Sequence, residues 1–165
     1  VTRRDSEEES GETKPFSAEG RIGRARYVGY SFGLALLAGI AIAIAAALVG
    51  AVAPGSAAIV VVNGYLAVTV VQVMLTIQRA HDMNVTGWLW LIALLPLGVF
   101  VFWLVPGTRG ENDYGKQPPP NTTGVVVLAC ILPIIMIVGI VAAIAVPAYQ
   151  QSTQRVAESP AQQLE

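Results

Sequence analysis

The sequence predicts an all-α fold: a polytopic membrane protein with four transmembrane helices and a disordered N-terminal tail. Three observations lead there. Hydrophobic residues make up 54% of the 165-residue chain and charged residues only 13%, against roughly a quarter charged in soluble domains, so most of the chain is not made to face water. Three long stretches, Tyr27 to Gln78, Met83 to Thr108 and Gln117 to Gln154, contain no Asp, Glu, Lys or Arg, and a membrane span needs about 20 mostly apolar residues. The first stretch is long enough for two spans and the others for one each.

The tail comes first. Residues 1–26 carry six acidic and six basic side chains with few large apolar ones, which predicts a solvated, disordered cytoplasmic segment over about 1–20. Its order matters: Asp5, Glu7, Glu8, Glu9 and Glu12 lie far from the bilayer, whereas Arg21, Arg24 and Arg26 stand directly before the first span, where basic side chains reach lipid phosphates. The first apolar run is too long for a signal core and has no small-residue cleavage site behind it.

Spans are expected at about 28–51, 57–78, 86–105 and 124–147, the first charge-free block breaking at the turn formers Ala53-Pro54-Gly55-Ser56. This gives a three-span domain over 21–118, then a fourth span and short tail over 119–165. In the first span Ser31, Ala35, Gly39, Ala43 and Ala47 recur every four residues, a smooth ridge suited either to packing within the monomer or to self-association. In the second, Tyr65, Thr69, Gln72 and Thr76 form one polar stripe, extended by Arg79, which serves either interhelical hydrogen bonding or the lining of a solute path.

With four crossings, Lys14, Arg21, Arg24, Arg26, Arg79 and Arg155 share one side, and Arg109 and Lys116 the other. Six against two orients the N-terminal side, the 79–85 loop and the C-terminal side to the cytoplasm and the 106–123 loop outward.

The second span ends in Arg79-Ala80-His81-Asp82, a cation, an imidazole and a carboxylate at one membrane edge. Three readings stand: an interfacial anchor with Trp88 and Trp90 at headgroup depth, a docking site for lipids or a partner together with Arg21, Arg24 and Arg26, and proton or metal chemistry. The last would want further ionisable groups inside the bilayer, and the expected spans have none. The stretch PGTRGENDYG is rich in turn formers, and its spacing does not match a complete calcium loop. Cys130 is the single cysteine and His81 the single histidine, so no disulfide within the chain, thiolate cluster or nucleophile-base set can be assembled from them. No cofactor or metal site is expected.

Three segments carry a resemblance: GRIGRARYVGY before the first span, QRAHDMNVTGWLWLIALLPL from the end of the second, and PGTRGENDYG after the third. In order and spacing they resemble the small bacterial inner-membrane proteins catalogued as domain of unknown function 805, whose members typically show a GRxxRxxYW start, an RRxHDxxxSGW loop and a PGTxGxNxYGxxP exit. The resemblance covers about 18–118. Gln78 stands where the first Arg of the loop pair is usual, Val28 where an aromatic follows Tyr27, Thr86 for Ser, and Asp113 where a basic residue is frequent. It implies a helical protein of the bacterial inner membrane and implies no biochemical activity.

The fourth span ends in GIVAAIAVPAYQ, which looks like the latter half of the type IV pilin membrane helix. The pilin cleavage signal and buried Glu do not match, since Val125, Val126 and Cys130 hold those places, and only about 15 residues follow the span. Simple anchoring with Pro147 ending the helix and a borrowed pilin-like packing surface are the two readings.

The expected function is therefore non-enzymatic, an interaction or scaffold module. Its partners would be membrane lipids, anionic ones among them, or another membrane protein or a second copy, and not nucleic acid. Docking falls to Arg21, Arg24, Arg26, Arg79, His81 and Asp82. The alternatives are a small transporter or channel for a neutral solute along the polar stripe, and an accessory part of pilus or secretion machinery.

Overall fold

A computed structural model describes residues 16–158. The acidic run and Lys14 in residues 1–15, and the tail over 159–165, lie outside the described residues, as does the side chain of Arg155. Five elements follow one another: α1 (Arg24–Val52), α2 (Ala57–Asp82), a 3₁₀ helix (Gly87–Leu94), α3 (Val99–Leu104) and α4 (Thr123–Glu158). The chain divides into two compact units, Val1–Ala129 and Cys130–Glu165, with the boundary inside α4.

α1 and α2 form an antiparallel hairpin whose register is visible along its length. Near the open end the Ile22 amide donates to the Gln78 carbonyl at 3.3 Å and the Tyr27 hydroxyl lies 3.2 Å from that of Thr76. Midway, a Cβ on Gly64 would stand 2.6 Å from Ile42. At the closed end, a Cβ on Gly50 would meet Ala57 at 3.3 Å. The connecting turn uses Gly55 at φ 95°, a left-handed conformation that glycine adopts without a Cβ penalty.

Among the described residues three helices are long and apolar enough to cross a membrane: Arg24–Val52, Ala57–Asp82 and Thr123–Thr153. Their large apolar side chains are widely exposed, as at Leu37, Leu48, Val62 and Leu66, which fits hydrocarbon rather than water as the surrounding medium.

The expected third span, 86–105, is not a continuous helix, and two prolines explain why. A residue before proline is pushed out of the α region. Leu95, before Pro96, has ψ 146°, and Val105, before Pro106, has ψ 129°. Between them Gly98 sits so close to the Ile92 carbonyl that an added Cβ would be 1.6 Å from it. The stretch becomes an eight-residue 3₁₀ helix, a turn and a six-residue α-helix, and six α-helical residues rise only about 9 Å.

This broken segment leaves the end of α2 and comes back to it. Arg79 donates through Nε to the Phe102 carbonyl at 2.9 Å, and the Thr108 amide donates to the Asp82 carbonyl at 2.8 Å. The 106–120 loop therefore lies at the same end as Arg21 and Asp82, not at the opposite end expected from four crossings. Arg26 ties it down further, donating to the carbonyls of Pro119 and Pro120, both at 2.8 Å. α4 starts beside them: a Cβ on Gly29 would be 3.5 Å from the Val125 carbonyl.

Two further expectations change. Residues 17–20, assigned to the disordered tail, are tied to α2: Gln78 donates to the Ser17 carbonyl, and His81 Nδ1 lies 3.3 Å from the Gly20 carbonyl. α4 does not stop at Pro147 but holds both Pro133 and Pro147 inside and continues to Glu158. Each proline removes one helical donor and leaves the rest of the ladder to carry the helix.

Candidate functional site

The buried core and the polar cluster coincide at the end where α1 begins and α2 stops. Ile22, Tyr27, Leu75, Ala80 and Phe102 form the apolar part, and Arg21, Arg26, Gln78, Arg79 and Asp82 are buried with them.

The local reason is the way α2 terminates. The last carbonyls of any helix lack intrahelical donors. Here Asn84 takes φ 58°, and its amide donates to the His81 carbonyl at 3.0 Å while that of Val85 donates to Ala80 at 3.1 Å. This paired return is a Schellman cap. The PGTRGENDYG loop supplies what remains: Thr108 Oγ1 donates to the Asp82 carbonyl at 3.1 Å, and Asn112 Nδ2 donates to the His81 carbonyl at 2.9 Å. Tyr114 stacks on the His81 ring with centroids 3.9 Å apart and planes 6° from parallel.

Against this capped end the two buried arginines share one carboxylate. Arg79, one turn before Asp82 on the same face, donates to its Oδ2 at 2.5 Å and to the Val105 carbonyl. Arg21 donates to Oδ1 at 3.1 Å. Its remaining Nη donors go to the carbonyls of Gly110 at 2.7 Å, Gly115 at 3.0 Å and Thr108 at 2.7 Å. Each carboxylate oxygen thus receives one guanidinium, and each guanidinium clamps a returning backbone segment. Gly107 is needed for this closeness, since a Cβ there would lie 2.0 Å from Asp82 Oδ2.

The structure brings all six predicted docking residues to one end but gives them different work. Arg21, Arg79 and Asp82 are buried in the clamp, Arg26 holds the prolines, and His81 is half-buried under Tyr114. Arg24 is exposed, with one bond to the Leu104 carbonyl at 3.2 Å. Arg24 and Arg109 line one cavity of ≈ 230 Å³ together with Asp82, Thr108 and Pro118 to Pro120. The sequence placed Thr108, Arg109, Asn112 and Tyr114 in the turn-rich PGTRGENDYG motif, with Arg109 on the opposite side and Asn112 a candidate oxygen ligand, and not against the end of α2.

Of the small-residue ridge, Ser31 receives a hydrogen bond from Gln72 at 3.0 Å, whereas a Cβ on Gly39 would meet nothing within 4 Å and Ala35, Ala43 and Ala47 are exposed. The stripe divides as well. Thr69, Gln72 and Thr76 line a second cavity, of ≈ 420 Å³, while the Tyr65 side chain is exposed. Among the described residues no group of three or more His, Cys, Asp or Glu side chains is placed to hold a metal ion.

Chemically the clamp is a charge arrangement with a surplus. Two guanidinium groups against one carboxylate leave a net positive charge where solvation is poor, and such a charge calls for compensation.

No curated protein and no solved structure matches the chain. Residues 15–116 match the model of a family described as protein of unknown function (DUF805). That range takes in α1, α2, the broken segment and the loop that seals the clamp, so the chain belongs to the DUF805 family.

Proposed function

We propose that this chain is a non-enzymatic interaction module of the bacterial inner membrane that holds anionic lipid headgroups at its arginine-rich end. The observation that carries the reading is the surplus of positive charge there. Arg24 and Arg109 share a cavity whose one lining carboxylate, Asp82, is already engaged by two other arginines. A lipid phosphate entering it would meet two exposed guanidinium groups at the depth of the headgroups.

The orientation supports the same reading. Arg21, Arg24, Arg26, Arg79, Arg109 and Lys116 all belong to this end, whereas the α1–α2 turn at Ala53 to Ser56 has no charge. By the distribution of Lys and Arg this end faces the cytoplasm, the leaflet surface that anionic lipids make negative.

The test is lipid retention. The purified chain, extracted in mild detergent from membranes containing phosphatidylglycerol and phosphatidylethanolamine, is expected to keep phosphatidylglycerol in excess of its membrane share. Arg24→Glu with Arg109→Glu is expected to lower that excess at least threefold while leaving the clamp intact. An unchanged excess in the double variant refutes the proposal.

A further inference from the structure

The cavity inside the membrane-spanning region makes a second, independent site. It measures ≈ 420 Å³ and is walled by α1 at Ser31 and Ala35, by α2 from Val68 to Thr76, and by the 3₁₀ helix at Trp90, Ala93 and Leu94. Its walls are mostly apolar with a few polar groups converging on one place, which is the usual make-up of a small-molecule site. Gln72 stands ten residues before Asp82, so about 15 Å below the arginine end along the helix and near half the depth of a hydrocarbon core about 30 Å thick.

The hydrogen atoms of that polar group can be followed one by one. Thr76 gives its hydroxyl hydrogen to the Gln72 carbonyl at 2.7 Å, so in the 3.2 Å contact between Tyr27 and Thr76 the tyrosine donates. Gln72 Nε2 spends its two hydrogens on the Tyr27 hydroxyl at 3.4 Å and Ser31 Oγ at 3.0 Å. Thr69 gives its hydrogen to the Tyr65 carbonyl at 2.8 Å. The Ser31 hydroxyl hydrogen goes to the Tyr27 hydroxyl, so one capacity is left at the cavity wall, Gln72 Oε1 as an acceptor. At this depth lipid tails do not satisfy it, and leaving it unmet is costly.

We infer that this cavity binds an uncharged lipid-soluble molecule bearing a hydroxyl group, which donates to Gln72 Oε1 while its apolar body lies against Ala35, Val68 and Leu94. A hydroxyl offers one donor, which is the complement of what the wall leaves open. A charged group is disfavoured, because no ionisable side chain lines the cavity to meet it. The site stands apart from the arginine end and does not depend on the lipid reading given to that end.

The experiment uses the full chain in phosphatidylcholine vesicles with a diazirine-bearing hexadecanol as photoprobe, and the same probe as its methyl ether for comparison. The hydroxyl probe is expected to label peptides covering Val68–Thr76 and Trp90–Leu94 saturably, at least fivefold above the ether, and to be competed by unlabelled hexadecanol. Gln72→Leu is expected to reduce labelling by the alcohol at least fivefold. If the Gln72 variant fails to fold, as judged by a non-monodisperse elution profile, the comparison of alcohol with ether on the unaltered chain decides. Equal labelling by alcohol and ether, or labelling unchanged in a folded Gln72→Leu, overturns the inference, because the cavity would then hold only bulk acyl chains or water.

Discussion

Arg21 and Asp82 are joined by a 3.1 Å ion pair across 61 positions of sequence, with the arginine side chain fully buried and the carboxylate nearly so. Because Arg79 holds the other oxygen of the same carboxylate, Asp82 compensates two guanidinium groups at once. Removing one partner of a buried pair leaves an uncompensated charge, which costs about 3–5 kcal/mol. Asp82→Asn is expected to fall in or above that range, since two charges lose their counterpart. Thermal unfolding in detergent micelles measures it, and a loss below about 1 kcal/mol would show that the clamp is solvated.

The end of α2 offers a backbone test with opposite signs at one position. Asn84 adopts φ 58°, a conformation that costs most L-residues roughly 1–2 kcal/mol and Asn less, while glycine is free of the penalty. Asn84→Gly is expected to keep or raise stability, and Asn84→Val to lower it by about that 1–2 kcal/mol. Two variants that destabilise alike would point instead to the Asn84 side chain, whose Oδ1 accepts from the Asp113 amide at 3.3 Å.

Much of this end was readable beforehand, and what was not has a physical cause. Arg21, Arg24, Arg26, Arg79, His81 and Asp82 could be grouped because charge is rare in this chain and must gather at membrane edges. Their burial could not be read, because it depends on the return of the 106–120 loop. That return was hidden by hydropathy: Met83 to Thr108 has the length and composition of a span. The decisive signals were Pro96, Gly98 and Pro106, which act on backbone geometry and leave average hydrophobicity untouched. Once that segment fails to cross, Arg109 and Lys116 change sides and the charge asymmetry becomes stronger than the sequence count suggested.

Two glycines separate close packing from open surface. At Gly107 a methyl carbon would stand 2.0 Å from Asp82 Oδ2, whereas at Gly39 it would meet nothing within 4 Å. Gly107→Ala is expected to displace the carboxylate from its arginines and cost about 1–3 kcal/mol, the usual range for overpacking. Gly39→Ala is expected to be neutral or stabilising by up to about 1 kcal/mol, the helix-propensity difference. Both are read from the same unfolding curves. A loss at Gly39 comparable with that at Gly107 would mean that the ridge is covered in the membrane, by a second copy or another helix.

The number of crossings gives the prediction with the widest consequence. Arg24 and Lys116 belong to one end of the hairpin, since Arg24 opens α1 and Lys116 follows Gly115, whose carbonyl accepts from Arg21 at 3.0 Å. Gly55 lies in the turn at the other end. Helices of 29 and 26 residues rise roughly 40 Å each, enough to pass a hydrocarbon core about 30 Å thick. In a Cys130→Ser background, single cysteines at 24 and 116 are expected to react with a membrane-impermeant maleimide only from the cytoplasmic face, and one at 55 only from the opposite face. Four crossings, the pattern read from hydropathy alone, would instead put 116 on the side of 55. Labelling of 116 and 24 from opposite faces would therefore refute the broken third segment, and with it the clamp that the segment closes.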